Sequence, residues 1–471
     1  MLAKLDRQGS GGSAAAVTRE KPRNGTANGS PIDSSAGIAR RDRKGGAARR
    51  TVLILLFCAI AVNYLDRSSL AVAAPNIQAE YGLSKTQLGL LFSVFSWTYV
   101  LMQLPAGWLL DRIGPTRAYG FALIAWSACT MAFASVRSFT AMIGLRLVLG
   151  VAEAPAFPAN NKFVSNWFAA SERGRATAVW VCGQYSGLAL ALPVLTWIIA
   201  TAGWRTMFAL SGAAGLVLAF FWFRSISDHP GGQAAEDTTE AATTGGGART
   251  PLKDDAAYLL SKRPLWGMYI GNFCSNSALS FFLTWFPTYL VAEKGISFGR
   301  AGILGMAPYL AALCGALAGG AISDALLKAG LSRTAARKLP LLIGYMLSAS
   351  IILANYSNDP LIVIAIMSVA FFGQGTSGIS WAIFSDIAPL RMTGLAGGMF
   401  NFFTNLGGII TPIVIGAIVD RTGSFGPALG FIACLGAIGL LSYLFLVGQI
   451  RRLDPDAAMA DSGMAESARA H

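Results

Sequence analysis

The sequence predicts an all-α membrane protein with twelve transmembrane helices arranged in two six-helix halves. Of its 471 residues, 54% are hydrophobic and only 13% are charged, whereas a soluble domain carries about 25% charged residues. A helix needs roughly 20 mostly apolar residues to cross a bilayer. Twelve segments meet this requirement, with predicted bounds at 51–74, 86–110, 116–136, 139–163, 174–200, 204–224, 266–291, 300–323, 338–355, 361–385, 394–419 and 426–449.

The predicted domain organisation has five parts. A long polar stretch with a glycine run and charges of both signs interrupts the apolar segments, as a cytoplasmic linker between two membrane domains would. The first part of the chain is rich in glycine, serine and alanine and lacks aromatic residues, so it is expected to be disordered. The parts are a disordered basic cytoplasmic tail at 1–50, the N-terminal half at 51–224, the linker at 225–265, the C-terminal half at 266–452 and a second disordered tail at 453–471.

Basic residues in the loops predict that both termini face the cytoplasm. Cytoplasmic loops are enriched in lysine and arginine, and one side of the predicted bundle collects most of them. An even number of crossings then places both ends on that side, which predicts a multi-pass protein of the cell (inner) membrane. The net charge of +13 partly reflects the first tail. We expect this tail to contact anionic lipid rather than nucleic acid.

No cofactor, metal or catalytic centre is predicted. All six cysteines lie within predicted spans and lack the spacing of metal ligands, so they are expected to be buried apolar residues. The two histidines, His229 and His471, lie in the linker and at the terminus. The phosphate-binding loop of ATP-driven pumps does not occur. No nucleophile–base set is recognisable, so the sequence does not predict an enzyme.

Glycines at matching positions indicate that the two halves repeat one design. Residues 107–111 and 320–324 both run from a glycine to an aspartate at the end of the second span of their half. Gly187 in the fifth span and Gly407 in the eleventh also lie at similar offsets. Two six-helix units related in this way predict a substrate site at the membrane midplane, between the halves.

Four charged residues lie in the interior of predicted spans, away from the span ends. Asp66 and Arg67 occupy the first span, and Arg146 and Glu153 occupy the fourth. A charge at the centre of a membrane helix costs about 2.5–3.5 kcal/mol on insertion scales. Such residues therefore mark the path of an ion or a substrate.

Helix geometry suggests how these charges pair. Neighbouring residues of a helix point about 100° apart, so Asp66 and Arg67 cannot neutralise each other directly. Arg146 and Glu153 are seven residues apart and share a helix face. The predicted depths place Glu153 nearer the cytoplasm than the other three. We therefore predict that Asp66 pairs with Arg146, its charge partner, and that Arg67 remains free for an anion.

One loop resembles the signature loop of the major facilitator superfamily. It reads Gly107-x-x-x-Asp111-Arg112-x-Gly114-x-x-Arg117 and follows the second span. We interpret it as a gating loop, because an aspartate near a helix end can pair with a basic group on a neighbouring helix. Such a contact would latch the cytoplasmic side and break at each opening.

Three further motifs resemble the anion:cation symporter family, and most closely its bacterial sugar-acid carriers. They are Tyr-Leu-Asp-Arg at 64–67, a run at 146–161 that contains the span-four charges and ends in two asparagines, and Phe-Phe-Leu-Thr-Trp-Phe-Pro at 281–287. The resemblance covers about 50–452. It implies the major facilitator fold and transport of galactonate, glucarate or a hexuronate with protons.

The resemblance also implies roles for individual residues. Asp66 and Glu153 would couple protons to transport, and Arg67 would bind the substrate carboxylate, for which its planar guanidinium is suited. A polyhydroxylated acid needs neutral hydrogen-bonding partners as well, and Trp381 could stack on the apolar face of a sugar chain. The predicted substrate-binding residues besides Arg67 are Tyr64, Tyr99, Gln184, Ser380, Trp381, Asn401 and Asn405.

The predicted function is import of an organic anion, an aldonate, aldarate or hexuronate, by proton symport with alternating access. The partners are then the small anion, the proton and the bilayer, and the functional unit is a monomer. An uncoupled facilitator or an exchanger of another carboxylate, such as tartrate or an aromatic acid, remains open. So does a membrane sensor that binds its ligand without transporting it.

Overall fold

The computed structural model describes residues 32–169, 172–228, 252–389 and 392–453. Most of the predicted tails and of the predicted linker therefore lies outside the described residues. The chain divides into two units, Met1–Gly46 and Ala47–His471, and all the predicted membrane spans belong to the second.

Helices make up nearly all of the described chain, and no strand occurs within the described ranges. The first helix begins at Ile32, upstream of the predicted start of the first span at residue 51, and its membrane-crossing part is Ala48–Tyr81. Short 3-10 or π turns extend some helix ends. The helices are α1 Ile32–Tyr81, α2 Lys85–Ile113, α3 Pro115–Ala132, α4 Phe139–Glu153, α5 Ala156–Trp167, α6 Arg173–Ser225, α7 Leu252–Ser261, α8 Arg263–Thr284, α9 Phe286–Ala292, α10 Phe298–Leu304, α11 Met306–Lys328, α12 Arg333–Ala349, α13 Pro360–Gly375, α14 Ile379–Ile387, α15 Thr393–Thr422 and α16 Gly426–Leu441.

The helices of the described ranges account for the twelve predicted spans. Nine helical segments are long and apolar enough to cross a membrane, and a tenth is α2, which bends by 52° near Pro105. Helix α6 has 53 residues, or about 80 Å at 1.5 Å per residue, which is too long for one crossing of a bilayer about 30 Å thick. It breaks at Gly203, whose φ is 82°, and so supplies two spans. The remaining predicted span, 266–291, corresponds to α8 and α9.

Local sequence sets both boundaries of α2. Ser84 begins α2 with a capping box, in which its hydroxyl accepts from the Gln87 amide at 3.1 Å and Gln87 accepts from the Ser84 amide at 2.9 Å. Gly114 ends α2 with a φ of 83°, a conformation that glycine adopts without strain. A Cβ atom there would also collide with the Asp228 carboxylate.

The predicted repeat of the two halves is visible in helix packing. Helix α6 lies against α1 at Gly187, where a Cβ atom would stand 2.7 Å from the Cα atom of Ala61. Helix α15 lies against α8 at Gly407, where a Cβ atom would stand 2.7 Å from the Phe273 carbonyl oxygen. Glycine therefore permits the same close approach of fifth span to first in one half and of eleventh to seventh in the other.

A pair of glycine substitutions tests this packing. Gly187→Ala is expected to destabilise the protein by about 1–3 kcal/mol, because the new methyl group overpacks the contact with α1. Gly320→Ala is the matched control, since a Cβ atom there meets nothing within 4 Å. The midpoint of thermal unfolding in detergent should fall for Gly187→Ala and not for the control. Equal midpoints would show that the close approach is not required.

The two halves are joined at the end of the bundle where α2 begins and α15 ends, here called the predicted outer end. The Asp420 carboxylate on α15 accepts from the backbone amides of Lys85 at 2.8 Å and Thr86 at 2.7 Å, and from the Thr86 hydroxyl at 2.5 Å. Farther along α2, the Ser93 hydroxyl donates to the Ile409 carbonyl at 2.5 Å. Helix α15 thus caps the N-terminus of α2 across the boundary between the halves.

Candidate functional site

A buried ion pair joins α1 to α4. The Nε atom of Arg67 donates to Oε2 of Glu153 at 2.7 Å. The Glu153 side chain is fully buried, whereas the Arg67 side chain is 13% exposed. The guanidinium Nη2 atom is buried and makes no hydrogen bond to the described part of the chain. Arg67 therefore has unused hydrogen-bonding capacity next to its pair with Glu153.

Aromatic rings surround the Arg67 guanidinium. Its central carbon lies 5.0 Å from the ring centre of Tyr64, 4.8 Å from that of Phe95 and 4.6 Å from that of Tyr99. Phe95 and Tyr99, one turn apart on α2, stack with their ring centres 5.5 Å apart. Cations are attracted to aromatic faces, so the rings hold the guanidinium in place. The predicted substrate residues Tyr64 and Tyr99 are thus brought to Arg67.

Arg146 is held by α2 rather than by a carboxylate. Its guanidinium donates to the backbone carbonyls of Leu91 at 3.3 Å and Phe92 at 3.5 Å and lies 5.0 Å from the Phe95 ring centre. Among the described residues Asp66 and Arg146 do not form an ion pair, so this predicted pairing is wrong. The long side chain of Arg67 reaches Glu153, and Arg146, two turns before Glu153 in α4, faces the backbone carbonyls of α2 instead.

Asp66 is the least compensated of the four charged residues. Its side chain is 1% exposed, and neither carboxylate oxygen has a hydrogen-bond partner among the described residues. Burying a charge without a partner is the costliest way to place a polar group in a protein interior. A carboxyl group kept in this setting is suited to exchange a proton.

The remaining predicted substrate residues lie in different surroundings. Gln184 is 9% exposed, on the part of α6 that packs against α1. Asn405 donates to the Asn401 side chain at 3.0 Å, as expected of residues one turn apart. Trp381 is 47% exposed and meets the Phe400 ring edge-on at 4.7 Å.

Ser380 faces away from its neighbour Trp381. It is 2% exposed and lies near the Tyr443 hydroxyl, inside a hydrophobic cluster of the C-terminal half. The structure thus brings Arg67 together with Tyr64 and Tyr99, and Asn401 with Asn405. Ser380 belongs to neither group.

The predicted gating loop forms an ion pair with a neighbouring helix. Asp111 pairs with Lys162 on α5, as the sequence predicts for an aspartate at this position. Arg112 covers the Trp108 ring with its guanidinium 5.1 Å from the ring centre. Arg117 is exposed, and a Cβ atom at Gly107 would meet nothing within 4 Å.

Two residues of the site were missed by the sequence analysis. Phe95 contacts both the Arg67 and the Arg146 guanidinium groups, and its spacing of four from Tyr99 was the signal that both line one helix face. Asn63 is fully buried beside the Glu153 carboxylate. It stands in the same apolar span as Asp66, where a buried amide also needs a partner.

Residues 56–412 match the family described as the Major Facilitator Superfamily. The D-galactonate transporter of Escherichia coli O6:H1 is 40% identical over 425 residues, which cover 87% of this chain and 98% of that protein. The probable galactarate/D-glucarate transporter GarP of Escherichia coli K12 is 40% identical over 432 residues, with 88% and 97% covered. The hexuronate transporter of Bacillus subtilis is 32% identical over 401 residues, with 83% and 94% covered.

Solved structures resemble the fold at low sequence identity. A bacterial homologue of the human lysosomal transporter Spinster, in an inward-facing and unoccupied conformation, has a TM-score of 0.65 at 18% identity, covering 85% of this chain and 95% of that chain. A variant of the nucleoside transporter NupG also has a TM-score of 0.65, at 14% identity, with 84% and 99% covered. The predicted all-α membrane fold is confirmed.

Proposed function

We propose that this chain, which belongs to the Major Facilitator Superfamily and is a membrane transporter rather than an enzyme, carries a sugar acid together with protons. The proposed substrates are aldonates, aldarates or hexuronates such as galactonate and glucarate. Several relatives with 37–40% identity carry names of galactonate, galactarate or glucarate transporters. We further propose that it lies in the cell (inner) membrane with both termini in the cytoplasm and imports its substrate as a monomer.

The observation that carries this proposal is the buried Arg67–Glu153 pair. An arginine whose side chain is partly exposed, and whose guanidinium lies among the rings of Tyr64, Phe95 and Tyr99, is a suitable partner for a carboxylate. Its planar fork can form two parallel hydrogen bonds. Nη2 of Arg67 has no partner within the described residues. A substrate carboxylate would therefore bind Arg67 through donors that the protein itself does not use.

Competition for Arg67 would couple the proton to the substrate. While Glu153 is ionised, it holds Arg67 at 2.7 Å and opposes binding of a second anion. A proton on Glu153 removes that charge and leaves Arg67 available to the sugar acid. Asp66, buried without a hydrogen-bond partner in the described chain, would carry a second exchangeable proton close to the first.

Recognition of the sugar hydroxyls would involve both halves. The N-terminal half would contribute Tyr64 on α1, Tyr99 on α2 and Gln184 on α6. Asn401 and Asn405 on α15 present linked amide groups. Trp381, half exposed, offers an apolar face. Binding between the halves would let the substrate leave on either side as the halves rock.

Uptake into proteoliposomes tests the proposed function. Labelled galactonate, galactarate, glucarate and a hexuronate would be offered separately, with the outside acidic relative to the lumen. We expect accumulation of at least one sugar acid, which a protonophore abolishes. Uptake that is indifferent to the pH gradient would contradict symport and favour a facilitator or an exchanger. Absence of uptake for all four acids would contradict the substrate class.

Alternating access requires the predicted outer end to open, and Asp420 is placed to oppose this. Asp420→Ala removes a carboxylate that accepts from the first amides of α2, and loss of a capping side chain costs about 0.5–2 kcal/mol. The contact that is lost also joins the two halves. A loss of 1–2 kcal/mol changes a population ratio by a factor of about 5–30. In a Ser93→Cys background, labelling by an impermeant maleimide should rise by about fivefold or more.

Asp359→Ala is the matched control for this prediction. Asp359 caps α13 by accepting from the Leu361 amide at 2.7 Å and the Ile362 amide at 3.2 Å, within a single half. Its loss should lower stability without raising the labelling of Cys introduced at Ser93. Equal labelling in the Asp420 and Asp359 variants would contradict the role of Asp420 in closing the predicted outer end.

A further inference from the structure

A set of buried side chains in the N-terminal half has polar atoms that lack a hydrogen-bond partner in the described part of the protein. Asn63, Glu153 and Asn160 are 0% exposed, and Tyr119 is 1% exposed. Both polar side-chain atoms of Asn63 and of Asn160, the Tyr119 hydroxyl and Oε1 of Glu153 make no hydrogen bond there. Buried polar groups are nearly always hydrogen-bonded, to protein or to ordered water. We call these four residues the inner polar column.

The members of the inner polar column follow one another in space. The Asn63 side chain lies beside the Glu153 carboxylate, and the Asn160 side chain lies beside the Tyr119 hydroxyl. Glu153 ends α4 and Asn160 lies in α5, seven residues farther along the span Phe139–Trp167, which is about 10 Å at the rise of a helix. Polar groups from α1, α3, α4 and α5 therefore form two neighbouring pairs, Asn63 with Glu153 and Asn160 with Tyr119.

The column leads from the candidate site to the loop between α2 and α3. Tyr119 lies one turn from Thr116, whose hydroxyl is also buried without a partner in the described residues. The Thr116 amide donates to the Asp228 carboxylate at 2.7 Å, and Asp228 is partly exposed. This loop is on the predicted cytoplasmic side, so the series ends where bulk water begins.

The charges around Glu153 favour movement of its proton toward the loop between α2 and α3. The charged groups near it are Asp66 and Arg67 on α1 and Arg146 on its own helix. Arg67 is partly exposed while Glu153 is fully buried, so a guanidinium stands on the more exposed side of the carboxyl group. A fixed arginine is a barrier to protons in a narrow pore. The opposite side, toward Asn63 and Asn160, is polar and carries no cation within the column.

We infer that the inner polar column binds ordered water and carries the proton between Glu153 and the predicted cytoplasmic side, on a route separate from that of the sugar acid. This inference rests on the proposed symport. A buried water typically makes about three hydrogen bonds to otherwise unpaired groups, and the unpaired amides and hydroxyl supply them. In the release step the Glu153 carboxyl group gives its proton to the adjacent water, and the resulting carboxylate pairs with Arg67. The proton passes along the water chain to the cytoplasmic solvent.

Two substitutions that remove hydrogen-bonding groups test the route. Tyr119→Phe and Asn160→Leu keep most of the side-chain volume but interrupt the polar series. The initial rate of uptake driven by a pH gradient should fall by about tenfold or more, as is usual when a proton-transfer group is lost. Counterflow of labelled against unlabelled sugar acid at equal pH needs no net proton release, so its rate should stay within about twofold of wild type. The final accumulation should also be unchanged, because the route sets a rate and not the coupling.

Tyr289→Phe is the matched control. Tyr289 lies in the C-terminal half, is 0% exposed and has a buried hydroxyl without a partner in the described chain. Both rates should be unchanged in this variant, which separates loss of the route from loss of any buried hydroxyl.

The outcomes distinguish the route from the proposed function. Gradient-driven uptake by wild type, together with normal uptake rates in Tyr119→Phe and Asn160→Leu, would overturn the inner polar column alone. An equal loss of counterflow in these variants would also overturn it, because the residues would then be structural. Uptake by wild type that ignores the gradient would overturn both the symport and the route.

Discussion

Replacing Arg67 with alanine is expected to reduce the affinity for a sugar acid by about 30-fold or more. Truncating one partner of a buried, hydrogen-bonded charge pair costs about 2–5 kcal/mol, and about 1.4 kcal/mol corresponds to tenfold in affinity. Arg67→Ala would remove the substrate's carboxylate partner and leave Glu153 buried without its 2.7 Å ion pair. Arg67→Lys should recover only part of the affinity, since an ammonium group lacks the planar fork. Binding to purified protein, measured by calorimetry, would give these values.

Arg205→Ala is the control for the loss of an arginine–glutamate pair. Arg205 bonds Glu80 at 2.7 Å, but both side chains are 40% exposed, and exposed pairs contribute only about 0–1 kcal/mol. We therefore expect the affinity of Arg205→Ala to match that of wild type. An Arg67→Ala protein that binds the sugar acid within about twofold of wild type would remove Arg67 from the substrate site.

Glu153→Gln is expected to uncouple transport from the proton. The amide resembles the neutral carboxyl group, so it leaves Arg67 available to the substrate but cannot release a proton. Accumulation driven by a pH gradient should be lost, by about 100-fold or more in initial rate, while counterflow at equal pH continues. Asp66→Asn is expected to act in the same direction, because Asp66 is the neighbouring buried carboxyl group without a partner in the described residues.

Glu293→Gln is the matched control for this change. Glu293 accepts from the Ser424 hydroxyl at 2.6 Å and the Phe425 amide at 3.2 Å, away from Arg67. Its conversion to glutamine should leave gradient-driven accumulation intact. Normal accumulation by Glu153→Gln itself would contradict the proposed competition for Arg67. Loss of counterflow together with accumulation would point to a structural role for Glu153.

The fold could be predicted because a bilayer constrains sequence so strongly. Every span must be apolar and long enough to cross, so composition alone indicated the helices. The span 266–291 was predicted although neither α8 nor α9 is by itself long and apolar enough to cross a membrane. The repeat could be predicted from Gly187 and Gly407, because a side chain larger than that of glycine would overpack helix contacts this close. The start of α1 at Ile32 could not be predicted, since no apolar pattern marks the residues that precede 51.

The pairing of charges could not be predicted from residue spacing. Residue spacing indicates how deep Asp66 and Arg146 lie along their helices, but it does not indicate the rotation of α1 relative to α4. That rotation decides whether Asp66 or Arg67 faces Glu153. Nor does a sequence reveal that backbone carbonyls of α2 are available to Arg146. Burial also depends on packing. The sequence alone therefore does not predict that Asn160 and Tyr119 of the inner polar column lie unexposed beside each other.

The hydrogen bonds between Asp420 and the start of α2 determine which substitutions this contact tolerates. Two of its three hydrogen bonds come from main-chain amides, which every amino acid except proline possesses. Replacing the Lys85 side chain therefore leaves all three hydrogen bonds intact, and replacing Thr86 removes only the one from its hydroxyl. Only the aspartate must be kept, and proline must be avoided at the two positions that face it.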